Sequence, residues 1–398
     1  MSLRKEIGAF SKDVIKGPGQ AFKYHPIFST LFVISIVLFI GLAIYRFGSG
    51  LGITGLNDMT AWGIWTALKL SLVVFSGCAF TITGMVYIFK MEQFRPFVRS
   101  AALMGVIGYT TFAVTLIFEI GWPWRIVHPI FMHNFASILF EVAWCVMIYL
   151  VILVLEFMPN LFERLKMRRS VKIFKTLTPG FVIAGVIISV LHQSSLGSLF
   201  VVAPYKMNRL WYSPWIGAFF IISAIFCGLA LTIVAELLMA RFDRRKARLG
   251  LLTKLGKYSI PALGLYLGFN VVDIIERSDA RKAFAAYDGY TLLFVLEIGL
   301  GIVLPIILYS KSSMVKSTKG LGFSAALVLL FGGALNRLNV SVMAIDHSPL
   351  GYSPNFVEYL YIPVVIIIIT GIYIITTRLF PILGPVKPNS EKSNPETR

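Results

Sequence analysis

Ionisable side chains that could do chemistry stand inside or at the edges of long apolar stretches of this chain. Seven of them are Lys69, Glu119, His133, Glu141, His192, Asp273 and Glu297. Histidine and carboxylate groups can exchange protons near neutral pH. A quinone head group needs an apolar slot for its ring, donors for two carbonyls and groups that exchange two protons, so these residue types suit a quinone site.

The composition determines which elements must position these residues. Of the 398 residues, 57% are hydrophobic and 14% are charged, which is far from a soluble domain. Apolar runs of about 20 residues span a bilayer as helices, not as barrel strands. We predict an all-α polytopic membrane protein with about ten transmembrane helices, near residues 27–47, 60–89, 98–121, 131–157, 177–201, 214–240, 258–276, 289–310, 320–336 and 357–380.

The basic residues indicate the orientation of these helices. The net charge is +18, but 28 Lys and Arg residues lie in the termini and alternate connections, against 8 in the other connections. This bias predicts a multi-pass protein of the bacterial inner membrane with both termini in the cytoplasm. It is a topology signal, so we expect membrane lipids and no nucleic acid as partners.

The helix map divides the chain into three parts. We predict a cytoplasmic N-terminal segment at 1–26, a transmembrane domain at 27–380 and a disordered cytoplasmic tail at 381–398. Within the domain, helices 2–5 (about 60–201) and 6–9 (about 214–336) would form two four-helix bundles flanked by helices 1 and 10. If the bundles are parallel repeats, Glu119 corresponds in depth to Asp273, and Glu141 to Glu297.

The candidate site lies in the first bundle near the outer side. His133 and Glu141 are eight residues apart and would share one face of helix four, about 12 Å apart along its axis. Helix three brings Glu119 to this depth, and helix five brings His192. We predict these four residues as the catalytic groups. Glu119, Glu141, Asp273 and Glu297 are the candidates for a proton pathway.

Further residues could complete the quinone pocket beside His133 and His192. Trp62, Trp65 and Trp122 are possible walls, and Ser195 follows His192 by one helical turn. Lys69 could stabilise a quinol anion or could neutralise a buried carboxylate.

Bound metal centres are not expected in this chain. Cys78, Cys145 and Cys227 lie in apolar stretches without a C-x-x-C pair, so we predict no disulfide, zinc or iron-sulfur ligation and no other metal site. A b-type haem would need two facing histidines, and His133 with His192 is the sole intramembrane pair. We expect no haem, although one haem remains an alternative.

Several segments resemble the NrfD/PsrC family of polysulfide reductase membrane subunits, most closely its ten-helix HybB-like branch. The resemblance covers most of the chain, and its carriers are Trp62-Gly63-Ile64-Trp65, Phe94-Arg95-Pro96 with Arg99, Gly121-Trp122-Pro123-Trp124, the string from Phe140 to Tyr149 and the string from His192 to Leu199. It implies a haem-free subunit that binds menaquinone or ubiquinone near the periplasmic face. It also implies electron exchange with a periplasmic ferredoxin-like iron-sulfur subunit, in a complex with a further catalytic or cytochrome subunit.

Two other function classes share these sequence features. A secondary transporter would also have two repeats with acids near the midplane, and it predicts helix breaks at matching positions of both halves. Pro261 and Pro305 lie in one half without clear equivalents in the other. A structural anchor for a periplasmic enzyme is the third reading. Protons could enter from the outer surface alone or cross from the cytoplasm, and the sequence does not choose.

Overall fold

The computed structural model of the protein describes residues 26–58, 60–202, 204–348, 350–380 and 382. The predicted N-terminal segment and C-terminal tail lie outside these residues, apart from Pro26 and Ile382. Ten helices in the described part of the chain are long and apolar enough to cross a membrane. They are α1 (Pro26–Ile53), α2 (Ile64–Tyr87), α3 (Glu92–Glu119), α4 (Ile138–Arg164), α5 (Arg168–Val201), α6 (Ile216–Phe242), α7 (Leu249–Glu276), α8 (Gly289–Ser310), α9 (Thr318–Met343) and α10 (Phe356–Leu379). The predicted all-α polytopic fold is confirmed.

The helices form two bundles of four. In the first bundle, α2, α3, α4 and α5 each pack against the next helix, and α5 packs back against α2. In the second bundle, α6, α7, α8 and α9 are arranged in the same way. Helices α1 and α10 pack on each other and against α2 and α3, so both lie beside the first bundle.

Because the helices alternate in direction, the molecule has two chemically different ends. We call one end the aromatic face, formed by the connections 54–63, 120–137, 202–215, 277–288 and 344–355. We call the other the basic face, formed by the connections 88–91, 165–167, 243–248 and 311–317. Trp122, Trp124 and Trp215 are exposed at the aromatic face, as expected for side chains at a membrane interface.

Close backbone contact at glycines joins the bundles. A Cβ at Gly77 of α2 would lie 2.5 Å from the Ala224 carbonyl oxygen of α6, and a Cβ at Gly228 would lie 2.5 Å from the Cys78 nitrogen. Small residues let membrane helices approach to this distance. A larger side chain at either glycine would therefore separate the two bundles.

Wide helical turns interrupt the second bundle. The π-helical segments are Gly299–Val303 in α8, and Val328–Leu335 and Asn339–Met343 in α9. Among the described residues, α2 to α5 contain no π-helical segment. The transporter alternative predicts helix breaks at matching positions of both halves, and these π-helical segments have no counterpart in α2 to α5 among the described residues.

Several helix boundaries differ from those predicted from hydropathy. Helices α5 and α7 begin at Arg168 and Leu249, before the predicted starts at 177 and 258. Two further differences move residues that could bear on function. Helix α9 runs to Met343 and not to 336, so Arg337 lies inside the bundle and is 1% exposed, whereas hydropathy predicts it in a loop. Helix α4 begins at Ile138 and not at 131, because the Ser137 side chain accepts a hydrogen bond from the Phe140 nitrogen and caps the helix there.

Candidate functional site

A carboxylate and a hydroxyl from adjacent helices meet near the aromatic face of the first bundle. Glu141 lies in the first turn of α4 and is partly exposed. The Ser195 hydroxyl of α5 is buried and lies 2.6 Å from Glu141 Oε1 and 2.8 Å from the Leu191 carbonyl oxygen. The structure thus brings together two of the predicted site residues, and Glu141 links the buried site to the membrane surface.

His192 lies one helical turn deeper on α5 than Ser195. Its side chain is fully buried, and neither ring nitrogen has a hydrogen-bond partner among the described residues. Tyr109 and Phe112 of α3 lie beside the ring, with centroids at 5.5 and 6.1 Å. A buried histidine normally bonds through at least one nitrogen. His192 therefore has hydrogen-bonding capacity for a water molecule or a polar ligand.

Three more buried polar groups lie next to His192, on its side towards the basic face. The rings of Tyr109 and Tyr149 meet edge to face at 4.6 Å. The Ser189 hydroxyl lies near both tyrosine hydroxyls, but none of the three makes a well-aligned hydrogen bond within the described chain. Each buried unsatisfied group costs about 1–3 kcal/mol. Such a concentration of unmet donors and acceptors fits a ligand head group or ordered water.

These side chains form one polar file between α3, α4 and α5. On α5 it contains Ser189, His192 and Ser195, one per turn, and on α4 it contains Glu141, Tyr149 and Glu156. At its lower end, a Cβ on Gly185 of α5 would lie 3.0 Å from Glu156 Oε1. Fifteen residues of α4 separate the two carboxylates, a rise of about 22 Å. The file therefore reaches from the aromatic face towards the basic face.

Four members of this file were missing from the predicted site: Tyr109, Tyr149, Ser189 and Glu156. Their spacing carried a signal, because positions 189, 192 and 195 recur every three residues, and positions 141, 149 and 156 recur every seven or eight. Both spacings put side chains on one helical face. Tyrosine and serine do not stand out in an apolar helix as carboxylate and imidazole groups do, and Glu156 lies far from the aromatic face.

His133 does not lie on α4, and the prediction that it shares a helical face with Glu141 is wrong. It lies in the exposed loop between the short helix His128–Phe131 and α4. Its ring stacks on Phe135 at 5.8 Å and on Trp144 at 6.5 Å. The helix starts later than hydropathy indicates because Ser137 caps it. His133 thus belongs to an aromatic cluster on the outside of the bundle.

Lys69 and Glu119 form a separate buried ion pair between α2 and α3, and their side chains are 9% and 7% exposed. The Thr66 hydroxyl also donates to the Glu119 carboxylate. Of the two roles predicted for Lys69, neutralisation of a buried carboxylate is the one that this contact provides. Glu119 is therefore bonded to α2 and not to the group around Glu141.

The three predicted tryptophans lie at different places. Trp62 packs edge-on against Phe200 at 5.2 Å, near the aromatic end of α5. Trp122 is exposed and contacts Trp124 at 5.6 Å. Trp65 is fully buried and faces α10, where its indole nitrogen donates to the Glu358 carbonyl at 3.2 Å. Trp62 therefore borders the end of α5 that carries Ser195.

Tyr352 and Glu358 anchor the beginning of α2 close to Trp65. The Tyr352 hydroxyl donates to Glu358 Oε1 at 2.7 Å and accepts from the Ile64 nitrogen at 2.9 Å. Burial, followed by its carboxylate partner, raises the pKa of Tyr352 well above its ordinary value, which keeps the hydroxyl protonated. Because these bonds fix the surroundings of Trp65, its role is structural.

The predicted acids of the second bundle are fully engaged by hydrogen bonds. Asp273 accepts from the Ser213 hydroxyl at 2.8 Å and from Arg277 at 2.6 Å. Glu297 accepts from three buried donors, namely Trp211 Nε1 at 2.9 Å, Asn336 Nδ2 at 2.7 Å and Asn339 Nδ2 at 2.7 Å. The second bundle thus contains carboxylates with complete sets of partners, unlike His192 in the first.

Beside Glu297, a buried arginine adds a positive charge to the second bundle. The Arg337 guanidinium lies 3.6 Å from the centre of the Phe220 ring and donates to Ser223 at 2.7 Å and to Asn336. A cation over an aromatic face is stabilised by the ring quadrupole. The arginine, two asparagines and glutamate together form a polar network in the second bundle.

Glu141 and Glu297 each bond to the next transmembrane helix along the chain, but they lie at different depths. The α4 acid Glu141 bonds to α5, and the α8 acid Glu297 bonds to α9. Glu141 is in the first turn of its helix, whereas Glu297 is the ninth residue of the segment Gly289–Ile298 and is 1% exposed. The two carboxylates are therefore not at matching depth, contrary to the prediction.

Metal-ligating side chains are dispersed in the described residues, which contain no group of three or more His, Cys, Asp or Glu that could hold an ion. Cys78, Cys145 and Cys227 are buried free thiols. His133 and His192 contact different aromatic rings, and His133 lies off the helix. This placement does not match the facing pair of ligands that the haem alternative requires.

The sequence is similar to a known protein family and to membrane subunits of several oxidoreductases. The profile described as "Polysulphide reductase, NrfD" matches residues 52–345. A probable Ni/Fe-hydrogenase 2 b-type cytochrome subunit of Escherichia coli is 30% identical over 372 residues, which are 91% of this chain and 93% of that protein.

Two further relatives are membrane subunits of other oxidoreductases. The integral membrane subunit of menaquinone reductase from Nitratidesulfovibrio vulgaris is 25% identical over 81% of this chain and 84% of its own length. A putative membrane subunit of dimethyl sulfoxide reductase from Halobacterium salinarum is 26% identical over 75% of this chain and 73% of its own length. This chain belongs to the NrfD, or polysulphide reductase, family of integral membrane subunits of oxidoreductase complexes.

Proposed function

We propose that this protein is the quinone-binding membrane subunit of a respiratory oxidoreductase complex. It exchanges electrons between the membrane quinone pool and a ferredoxin-like iron-sulfur partner, and it has no redox activity alone. The observation that carries the proposal is the contact of Glu141 with Ser195, one turn above the unpartnered His192. The name of the menaquinone reductase relative supports the choice of ligand.

The residues of this group have the properties that a quinone head group requires. When bound, the quinone supplies two-electron redox chemistry coupled to two protons. His192 can offer a donor or an acceptor, because both ring nitrogens are available. The Ser195 hydroxyl lies within hydrogen-bonding distance of both Glu141 and a backbone carbonyl, so it can donate its proton to either acceptor. Glu141 holds or releases a proton at a partly exposed carboxylate, from which it can exchange with the aromatic face.

His133 contributes at the entrance to the site. It forms a cluster of aromatic rings with Phe135, Phe140 and Trp144. The cluster lies on the exposed side of the loop before α4 and of the first turns of that helix. Flat aromatic surfaces at a membrane interface suit the entry of a planar ring from lipid. We place the quinone path along this cluster to Glu141.

The partner docks on the aromatic face, which faces the periplasm of a bacterial inner membrane. The excess of Lys and Arg at the opposite end supports this orientation and puts both termini in the cytoplasm. A depression of about 710 Å³ opens between the two bundles on the aromatic face, and its rim carries Lys206, Asp346 and His347. The ionisable side chains on this rim suit contact with a soluble subunit, and a further catalytic or cytochrome subunit would complete the complex.

Protons move along the first bundle. Of the four predicted pathway acids, Glu119 is paired with Lys69, and Asp273 and Glu297 have complete hydrogen-bond sets. Glu141 is the one that continues into unpartnered polar groups, which lead down α4 to Glu156. This file supports exchange of protons with the basic face as well as with the aromatic face.

Replacing His192 tests the proposal in the purified complex. We expect His192→Ala to lower quinol-linked turnover at least tenfold and to reduce the quinone extracted per complex, with partner subunits and their iron-sulfur signals intact. His128→Ala, at the aromatic face, is the matched control and should behave like the wild type. Wild-type turnover and quinone content in His192→Ala would refute the assignment.

A further inference from the structure

An apolar slot lies outside the quinone site, between the pair α1–α10 and helices α2, α3 and α6. Its volume is about 410 Å³. The lining is mostly hydrophobic and includes Phe75, Met104, Leu231, Leu238, Phe242 and Ile369. Since α1 and α10 meet the first bundle beside this slot, whatever fills it affects how firmly they are held.

The slot has the length of one membrane leaflet. On α6 its lining runs from Leu231 to Phe242, a rise of about 16 Å. The hydrocarbon core of a bilayer is about 30 Å thick, so this is about half of it. The deep end of the slot reaches Ser76 and Gly108, near the middle of α2 and α3, and its mouth opens at the basic face.

An arginine stands at the mouth of the slot. Arg241 lines the opening and is exposed, and no ion pair to it is found within the described ranges. Its neighbours differ, since Arg378 bonds to Asp243 at 3.0 Å and Arg245 bonds to Glu236 at 2.7 Å. An uncompensated cation above an apolar slot of leaflet length matches an anionic head group with a hydrocarbon tail.

Polar groups inside the slot do not favour a quinone head. The Ser76 hydroxyl bonds to the Leu72 carbonyl at 2.7 Å, and Thr370 bonds to the Ile366 carbonyl at 2.7 Å. Tyr373 shares a hydrogen bond of 2.6 Å with Ser100. Each hydroxyl is thus already engaged, so the slot offers an apolar surface for a chain and few donors for two carbonyls.

We propose that this slot binds one acyl chain of a phospholipid from the leaflet at the basic face, with the lipid phosphate on Arg241. The lipid fills the space between the α1–α10 pair and the rest of the protein. This site is independent of the quinone site, because it lies on the other side of α3 and opens at the opposite face.

Bound lipid in the purified, detergent-washed complex tests the proposal by native mass spectrometry. We expect the wild type to retain one phospholipid per chain and to regain it from added phosphatidylglycerol but not from an uncharged diacylglycerol. Arg241→Gln should lower retention at least fivefold, whereas Lys246→Gln, an exposed cation of the adjacent connection, should not. Leu238→Trp fills the slot and should abolish retention, whereas Ile372→Trp on the exposed side of α10 should not.

Two results would overturn the proposal. Equal phospholipid retention in Leu238→Trp and the wild type would place any bound lipid elsewhere. Quinone, in place of phospholipid, lost from Leu238→Trp would make the slot a quinone-tail site. Because quinol turnover is measured separately on His192→Ala, neither result depends on the proposed function.

Discussion

Ser195 on α5 and Glu141 on α4 are joined by a hydrogen bond of 2.6 Å near the aromatic face. Ser195 is buried and stands one turn from His192, while Glu141 is partly exposed. The Glu141 carboxylate is therefore separated from the buried site by the Ser195 hydroxyl alone. It is also accessible from the membrane surface. This relationship makes Glu141 the group whose charge state should matter most for turnover.

Glu141→Gln removes the proton exchange and preserves the shape of the side chain. General acid-base catalysis contributes about 10²–10⁴-fold, so we expect quinol-linked turnover of the complex to fall at least tenfold. The control is Glu276→Gln, an exposed carboxylate at the aromatic end of α7, which should leave turnover unchanged. Steady-state quinol oxidation or quinone reduction measures both, and an equal effect of the two variants would contradict the role of Glu141.

His133 should act on access and not on chemistry, because it lies in the exposed ring cluster outside α4. We expect His133→Ala to raise the KM for quinol severalfold with kcat within twofold of the wild type. His192→Ala should instead lower kcat. If His133→Ala lowered kcat as much as His192→Ala does, the two histidines would act together and the entrance role would be wrong.

Glu119→Gln should destabilise the protein because it leaves Lys69 buried without its counter-charge. Breaking one side of a buried pair costs about 3–5 kcal/mol, whereas an exposed pair is screened by water and contributes little. Glu92→Gln breaks the exposed pair with Arg95, whose side chains are 58% and 57% exposed, and is the matched control. Thermal unfolding in detergent should give a clearly lower Tm for Glu119→Gln alone.

The double variant Lys69→Met with Glu119→Gln separates charge from packing in the same measurement. It removes both charges, so much of the lost stability should return. A Tm as low as that of Glu119→Gln would mean that the packing around the pair, and not the uncompensated Lys69, accounts for the loss.

Hydropathy was sufficient to predict the ten helices, because each needs an apolar run long enough to cross the bilayer. It could not place the start of α4, where the cap at Ser137 ends the loop that contains His133. Nor could it place Arg337, because hydropathy assigns a charged residue after an apolar run to a loop. The structure pairs this arginine with Phe220, Ser223 and Asn336 inside the bundle.

The candidate site was predictable in part for a similar reason. Glu141, His192 and Ser195 carry polar groups that are conspicuous in apolar helices, and the structure joins Glu141 to Ser195, one turn from His192. Tyr109, Tyr149 and Ser189 are less conspicuous because tyrosine and serine are common in membrane helices. Their importance arises from the absence of aligned partners for their hydroxyls among the described residues, which is a three-dimensional property.

Glu297 should be structural, since three buried donors converge on its carboxylate. Glu297→Leu leaves Trp211, Asn336 and Asn339 without an acceptor, and each unsatisfied group costs about 1–3 kcal/mol. We expect a lower Tm and poor assembly with the partner subunits. Glu276→Leu, at an exposed position, controls for loss of a carboxylate. Normal stability of Glu297→Leu with impaired proton uptake would instead favour a pathway role.

The polar file predicts a measurable proton route through the first bundle. Tyr149→Phe removes a hydroxyl between His192 and Glu156, and Glu156→Gln removes the lower carboxylate. Both should lower proton uptake from the basic face in proteoliposomes, followed with an internal pH dye during quinol-linked turnover. Tyr258→Phe, at an exposed position of α7, should not. If both file variants keep the wild-type ratio of protons to electrons, the protons exchange at the aromatic face through Glu141, because that route needs neither Tyr149 nor Glu156.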